Sequence, residues 1–199
     1  QPNYAWFSKR TWQFPPYTLC LLKAVVNNYA KTVVFDPNFN NLSEHEVKNY
    51  LLNTMPDLVG VSSISTEYYN VTKYMTKLIR ECLPDAVIVM GGAIPTVMIE
   101  EAMKDKNVDF WIMGEGEQSF PNLIEKLAAG CNDFSNISGL AYWQDRVPVI
   151  NEVKFINDLD KIPFPDYSDI SGVTLNDYGN VKFKYAPGLL ARQYPSAVT

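Results

Sequence analysis

Four short stretches hold the residues whose types could do chemistry: Asp36-Pro37-Asn38-Phe39-Asn40-Asn41, Ser62-Ser63-Ile64-Ser65-Thr66, Gly91-Gly92-Ala93-Ile94-Pro95-Thr96 and Gly114-Glu115-Gly116-Glu117. Together they offer small hydroxyls, carboxylates, and backbone N–H groups that no Cβ shields. Such a set suits a neutral, polar, bulky ligand held through backbone contacts. A polyphosphate is disfavoured, because residues 114–117 carry negative charge. The chain also has no Walker A lysine motif and no GxGxxG between a strand and a helix. No nucleophile stands with a base and an orienting partner. The single histidine, His45, lies between Glu44 and Glu46 and reads as solvated. Cys20, Cys82 and Cys131 are far apart, without the close ligand spacing of a zinc site. An odd count at such separations favours reduced thiols and a cytoplasmic protein.

These stretches fall where strands should end. Val87-Ile88-Val89-Met90 reads as a buried strand, Gly91 and Gly92 as a tight turn, and residues 97–105 as a helix opened by Thr96. In open α/β sheets, ligands sit beyond the carboxyl ends of the strands. Gly91 and Gly92 are therefore expected as the floor of a binding site. A plain strand-to-helix turn without a ligand accounts for these residues equally well.

The other elements follow in alternation. Residues 17–29 read as a helix with Leu19, Leu22, Val25 and Val26 on one face, and residues 32–36 as a short strand. Ser43 and Glu46 have capping-box spacing ahead of a helix that buries Val47, Tyr50 and Leu51. Residues 57–63 form a strand, 67–82 a helix stopped by Pro84, 108–113 a strand, and 119–129 a helix closed by Gly130. Residues 139–143 and 147–150 read as a hairpin joined at 144–146. Residues 1–16 read as an aromatic-rich loop packed on the domain, with its aromatics in the core or lining a pocket.

The fold class expected is α/β: a Rossmann-like (flavodoxin-like) parallel sheet with helices on both faces, plus a hairpin and an extended connector. Residues 1–150 are expected as the domain and 151–199 as the connector. The alternation wants one more strand ahead of Tyr17, central in a flavodoxin-like order. The chain opens Gln1-Pro2-Asn3 and stops in mid-run at Thr199, so it is expected to be part of a longer protein whose first strand lies upstream.

Composition excludes some classes. With 199 residues, 47% apolar and 20% charged, the chain is globular. A net charge of −5 argues against a general nucleic-acid surface. No apolar run reaches the length of a membrane span, and the opening residues lack a basic n-region followed by an apolar h-region, so no signal peptide is expected in them.

Several pieces in order carry a resemblance. They are Pro56-Asp57-Leu58-Val59-Gly60-Val61-Ser62, Val89-Met90-Gly91-Gly92-Ala93-Ile94-Pro95-Thr96, Val108-Asp109-Phe110-Trp111-Ile112-Met113-Gly114-Glu115-Gly116-Glu117, Ile137-Ser138-Gly139-Leu140-Ala141-Tyr142 and Leu159-Asp160-Lys161-Ile162-Pro163-Phe164-Pro165. Each alone is weak; in this order and spacing they are specific. The chain resembles the N-terminal cobalamin-binding-type domain of B12-dependent radical S-adenosylmethionine proteins.

The resemblance implies that Ser62, Ser63, Ser65, Gly91 and Gly92 accept the nucleotide tail of cobalamin. Ala93, Gly114, Glu115 and Gly116 would line the site, and the loop with Asp36 and Asn38 would lie near the corrin ring. One departure stands out. Many cobalamin domains carry Asp-x-His-x-x-Gly, whose histidine ligates cobalt, whereas Pro37 and Asn38 follow Asp36 here. Cobalamin is thus expected to bind without histidine ligation from this loop.

The family also implies a radical domain in the same chain, with S-adenosylmethionine and a [4Fe–4S] cluster held by thiolates. The three cysteines do not form its CxxxCxxC motif, so no radical chemistry is expected from these residues alone. The implied function is to position a corrinoid for methyl transfer or related radical chemistry. One rival is the same fold without cobalamin, acting as a substrate-presenting or interaction module. Another is a receiver-like or flavin-binding domain, against which the hairpin and connector argue. No nucleic-acid or membrane partner is expected.

Overall fold

Strand β2 (Val87–Gly92) shows why the sheet is covered on two sides. Ile88 and Met90 turn to one apolar cluster and Val89 to another, and all three are buried. A strand alternates its side chains between faces, so each face needs its own cover. The computed structural model describes residues 2–3, 6–7, 14–168 and 170. In it, β2 lies parallel to both β1 (Leu58–Ser63) and β3 (Phe110–Ile112). β4 (Leu140–Gln144) and β5 (Val147–Ile150) extend the sheet antiparallel, in the order β1-β2-β3-β4-β5. The other edge of β1 pairs with no strand among the described residues.

The helices are α1 (Tyr17–Val26), α2 (Glu44–Thr54), α3 (Tyr69–Cys82), α4 (Ala93–Val97), α5 (Ile99–Ala102) and α6 (Gly116–Ala128). α2, α3 and α5 cover one face, where Leu51, Met75 and Ile79 pack with Ile88, Met90 and Trp111. α1 and α6 cover the other, where Val26, Phe120 and Leu123 pack with Val89 and Ile112. This is the Rossmann-like α/β layering expected, parallel at its centre and antiparallel at the hairpin. The capping box opening α2 is present: Glu46 N donates to Ser43 Oγ at 3.3 Å, and Ser43 N donates to Glu46 Oε2 at 2.8 Å. No helix among the described residues is long and apolar enough to cross a membrane.

Three local expectations change. Residues 32–36 form no strand. A strand exists only where a ladder forms, and residues 32–36 form none with the described strands. Phe35 stacks on Tyr50 at 3.9 Å between ring centroids, and Val34 is buried with Cys20 and Ile170. The helix expected over 97–105 starts earlier, at Ala93, and breaks at Met98 into α4 and α5. Thr96 Oγ1 donates to the carbonyl of Gly92, four residues back, at 2.7 Å. Such back-bonding bends helices. α6 begins at Gly116, one turn ahead of expectation.

The hairpin turn is tighter than 144–146, because Gln144 pairs directly with Val147. Asp145 and Arg146 both take positive φ, 50° and 67°. Two such residues make the turn whose twist matches the strands, and glycine suits it better than arginine. Arg146→Gly is expected to stabilise the chain by about 0.5–1 kcal/mol in urea unfolding. An unchanged or lower midpoint would show that the Arg146 side chain contributes more than its backbone costs.

Candidate functional site

The carboxyl end of β1 is tied to the turn after β2 by one hydroxyl. Ser63 Oγ donates to the Gly91 carbonyl at 2.9 Å and accepts from Ile94 N at 3.0 Å, with Ser63 1% exposed. Gly92 lies beside it at φ +92°, and a Cβ there would stand 2.3 Å from the Ser63 carbonyl oxygen. Gly92 is therefore required by the neighbouring strand. Only glycine adopts this backbone region freely.

Gly91 is the residue that leaves room. A Cβ there would meet nothing within 4 Å. Gly91 pairs in register with Ser62, and Gly60, two residues before Ser62, faces Phe120 of α6. Ser62 and Gly91 thus share the α1–α6 side of the sheet. The Ser62 hydroxyl, although the residue is buried, has no hydrogen-bond partner among the described residues. Open space at Gly91 and a hydroxyl without a hydrogen-bond partner among the described residues thus meet at the strand ends.

A second tie joins the turn after β2 to the turn after β3. Gly114 N donates to Thr96 Oγ1 at 3.0 Å while that hydroxyl donates to Gly92. Thr96 was legible only as a helix opener; its role across two loops needs their spatial meeting. Ala93 is half-buried at the head of α4. Ser65 accepts from Glu67 N at 3.3 Å and caps a single 3-10 turn, Thr66–Tyr68. Ile64 and Val97, exposed at 44% and 73%, add apolar surface to this rim.

The remaining candidates are used by the protein itself. Glu115 Oε2 accepts from Ile156 N at 2.8 Å, and Gly114, at φ +70°, lets Val153 pack within 2.9 Å of its would-be Cβ. Both hold residues 153–156 against the rim. Gly116 lets Leu22 of α1 approach α6. Asp36 Oδ1 accepts from Asn38 N at 3.1 Å, and both residues are buried. Asn3 and Trp6 clip that loop from outside, donating to the Leu42 carbonyl at 2.8 and 2.9 Å. Trp6 also packs edge-on to Tyr74, which gives it a core role.

Chemistry elsewhere is muted. Burial pushes the Cys20 thiol up to about 12, so it is no thiolate at neutral pH. His45 is exposed and bonds Asn49 at 3.0 Å. A cleft of about 590 Å³ lies at the opposite end of the strands, lined by Arg80, Lys106, Asp109, Tyr142 and Trp143. Its Arg80 and Lys106 are spent internally. Arg80 donates to the carbonyls of Pro84, Ala86 and Asn107 and to Asp109, and Lys106 sits 3.9 Å over the Trp143 ring.

The segment after β5 returns to α1. Asp166 pairs with Lys23 at 3.1 Å, Asp166 N donates to the Cys20 carbonyl, and Lys23 Nζ donates to Ser168 Oγ. The Ser168 hydroxyl and N–H, and then Lys23, hold the Asp166 carboxyl below its ordinary value. A depressed carboxyl contributes stability above its unfolded pKa and loses it as pH falls through the folded one.

A family model of the B12 binding domain matches residues 8–124, more than half of the chain. The anaerobic magnesium-protoporphyrin IX monomethyl ester cyclase of Rubrivivax gelatinosus is 29% identical over 161 residues, covering 77% of this chain and 29% of that protein. The radical S-adenosylmethionine methyltransferase TsrM of Kitasatospora setae, solved with cobalamin and a [4Fe-4S] cluster bound, superposes with a TM-score of 0.62 at 21% identity over 70% of this chain and 28% of its own. The cobalamin-dependent S-adenosylmethionine radical enzyme OxsB gives 0.63 at 18% identity over 78% and 22%. These structural likenesses show the fold alone, and the chain spans less than a third of each relative's length.

Two outcomes follow from the geometry. Gly91→Ala is expected to leave the thermal midpoint almost unchanged, while Gly92→Ala costs about 3 kcal/mol or more; similar midpoints for the two would refute the strand-contact account. Asp166→Asn is expected to cost about 1–2 kcal/mol in urea unfolding at pH 7, and the cost is expected to shrink as pH falls below the ordinary carboxyl range. A penalty that stays constant as pH falls through the acid range would mean that the carboxylate is not its source.

Proposed function

The chain belongs to the B12-binding domain family, and from that membership we propose that its rim holds cobalamin at the carboxyl ends of β1, β2 and β3. The observation that carries this is the space at Gly91 beside the Ser62 hydroxyl. A neutral tail can enter there with no side chain in its way, and Ser62 can donate or accept. Ser63, Gly92 and Thr96 keep the slot in shape, and Ser65, Ala93 and Gly114 border it. Exposed Ile64 and Val97 offer apolar contact to the ring. Asp36 and Asn38 act through the shape of their loop. No histidine follows Asp36, so the metal takes no histidine ligand from this loop.

When bound, cobalamin supplies methyl-carrier or electron-transfer chemistry; the protein supplies binding and orientation. Residues 1–150 are the cofactor-binding unit in this proposal and 151–199 the connector. The full protein is a radical S-adenosylmethionine enzyme, methyltransferase-like, with S-adenosylmethionine and a [4Fe–4S] cluster in the same chain. TsrM and OxsB, named above as cobalamin enzymes, and the match to the B12 binding domain support it. The three unpaired cysteines fit a cytoplasmic location.

Titration of the folded chain with hydroxocobalamin, followed by visible absorbance and gel filtration, is expected to give saturable co-elution. Gly91→Leu should keep the cooperative melt and weaken binding about tenfold or more. Binding that ignores Gly91→Leu moves the tail elsewhere. No binding by a chain that melts cooperatively leaves the fold as a substrate-presenting or interaction module.

A further inference from the structure

β1 is an edge strand built like an interior one. Val87 N donates to the Asp57 carbonyl at 2.9 Å, and Leu58 pairs in register with Val87. In a parallel ladder this phase turns the peptide groups of Val59 and Val61 toward β2 and those of Leu58, Gly60 and Ser62 away from it. The outward N–H and C=O groups meet no hydrogen-bond partner among the described residues. Solvent-facing edges are usually blunted by charge, proline or a bulge. Leu58-Val59-Gly60-Val61-Ser62-Ser63 has no charge and no proline, its register with β2 is unbroken, and Val61, Ser62 and Ser63 are buried. A buried backbone group without a partner costs free energy, and a neighbouring strand removes that cost.

The handedness of the connections identifies that neighbour. α3 joins β1 to β2 across one face, and α2, on the same face, joins residues 32–36 to β1. Parallel crossovers are right-handed, so residues 32–36 lie beyond β1, away from β2. α1 precedes them on the opposite face. A crossover through α1 therefore runs the other way, and the strand it leaves stands between residues 32–36 and β1. The side chains agree. Val34 packs with Cys20 of α1 and Phe35 stacks on Tyr50 of α2, one toward each helical layer, as successive residues beside a sheet do. Asn3 and Trp6 donate to the Leu42 carbonyl, in the loop that leaves residues 32–36 at the rim. We propose that the open edge of β1 is filled by one β-strand, parallel to β1 and joined ahead of Asn3 in the same chain. Covered on both faces, that strand must be a run of about five apolar, largely β-branched residues. The proposal does not depend on what the rim binds.

The test compares the chain of 199 residues with the same chain extended by about ten of the natural residues that precede Gln1. The extension is expected to slow hydrogen exchange at the Gly60 and Ser62 amides about a hundredfold or more, and to raise the thermal midpoint by about 5 °C or more. A chain that melts cooperatively only when extended supports the proposal as well. Gly60→Pro removes one outward N–H. It should lower the midpoint of the extended chain by about 5 °C more than that of the shorter one. Equal losses, or an extension that changes neither exchange nor midpoint, overturn the proposal. Protection of Gly60 and Ser62 in the unextended chain overturns it too: in a monomer by gel filtration, another segment of this chain fills the edge, and in a dimer, a second copy does. Preceding residues that contain no apolar run of strand length also overturn it.

Discussion

The rim depends on the contact between Ser63 and the turn that leaves β2. One hydroxyl donates to the Gly91 carbonyl and accepts from Ile94 N, so it joins two strands and a helix start at once. The contact is close because Gly92 has no side chain; a Cβ would collide with the Ser63 carbonyl. Removing that constraint would let the turn rise, and Thr96 could no longer hold Gly92 and Gly114 together. Satisfied, buried hydrogen bonds of this kind rigidify the backbone they join.

Rigidity matters for the proposed site because its candidate residues make little use of charged side chains. Its floor is backbone and small residues, and a floor of that kind selects a ligand by shape. Positions held by packing and by second partners keep such a shape without the ligand. The glycines divide the labour. Gly92 closes strands on each other, Gly114 and Gly116 admit Val153 and Leu22, and Gly91 alone of these leaves open space. A row of glycines that looks uniform in sequence thus contains three packing contacts and one vacancy.

The acids of the rim divide in the same way. Glu115 and Asp166 fasten the segment after β5, one to the rim and one to α1. That segment shows exposed Phe155 just before the first fastening and exposed Leu159 and Phe164 between the two. Asp36 closes its own loop on Asn38. Carboxylates that looked available to a ligand are largely structural, and this agrees with a site suited to a neutral molecule.

Much of the fold was legible in the chain. The unbroken apolar run of Val87 to Met90, the capping box at Ser43 and Glu46, and the apolar face of the helix at residues 17–29 are local signals, because strand and helix periods are properties of the backbone. Local signals also placed the glycine and serine loops at strand ends. They failed for residues 32–36, whose valines have strand character but no ladder neighbour among the described residues, and for the helix after Gly92, where Thr96 bends the chain at Met98. They could not say which glycine was structural, because that depends on the Ser63 carbonyl, 29 residues away. Nor could they show that Glu117 buries an oxygen while Glu115 spends its own on Ile156. The sequence by itself determined the layering and which loops meet. Only the tertiary structure decided what each residue in those loops touches, because a contact between distant segments is set by packing and leaves no periodic trace in the chain.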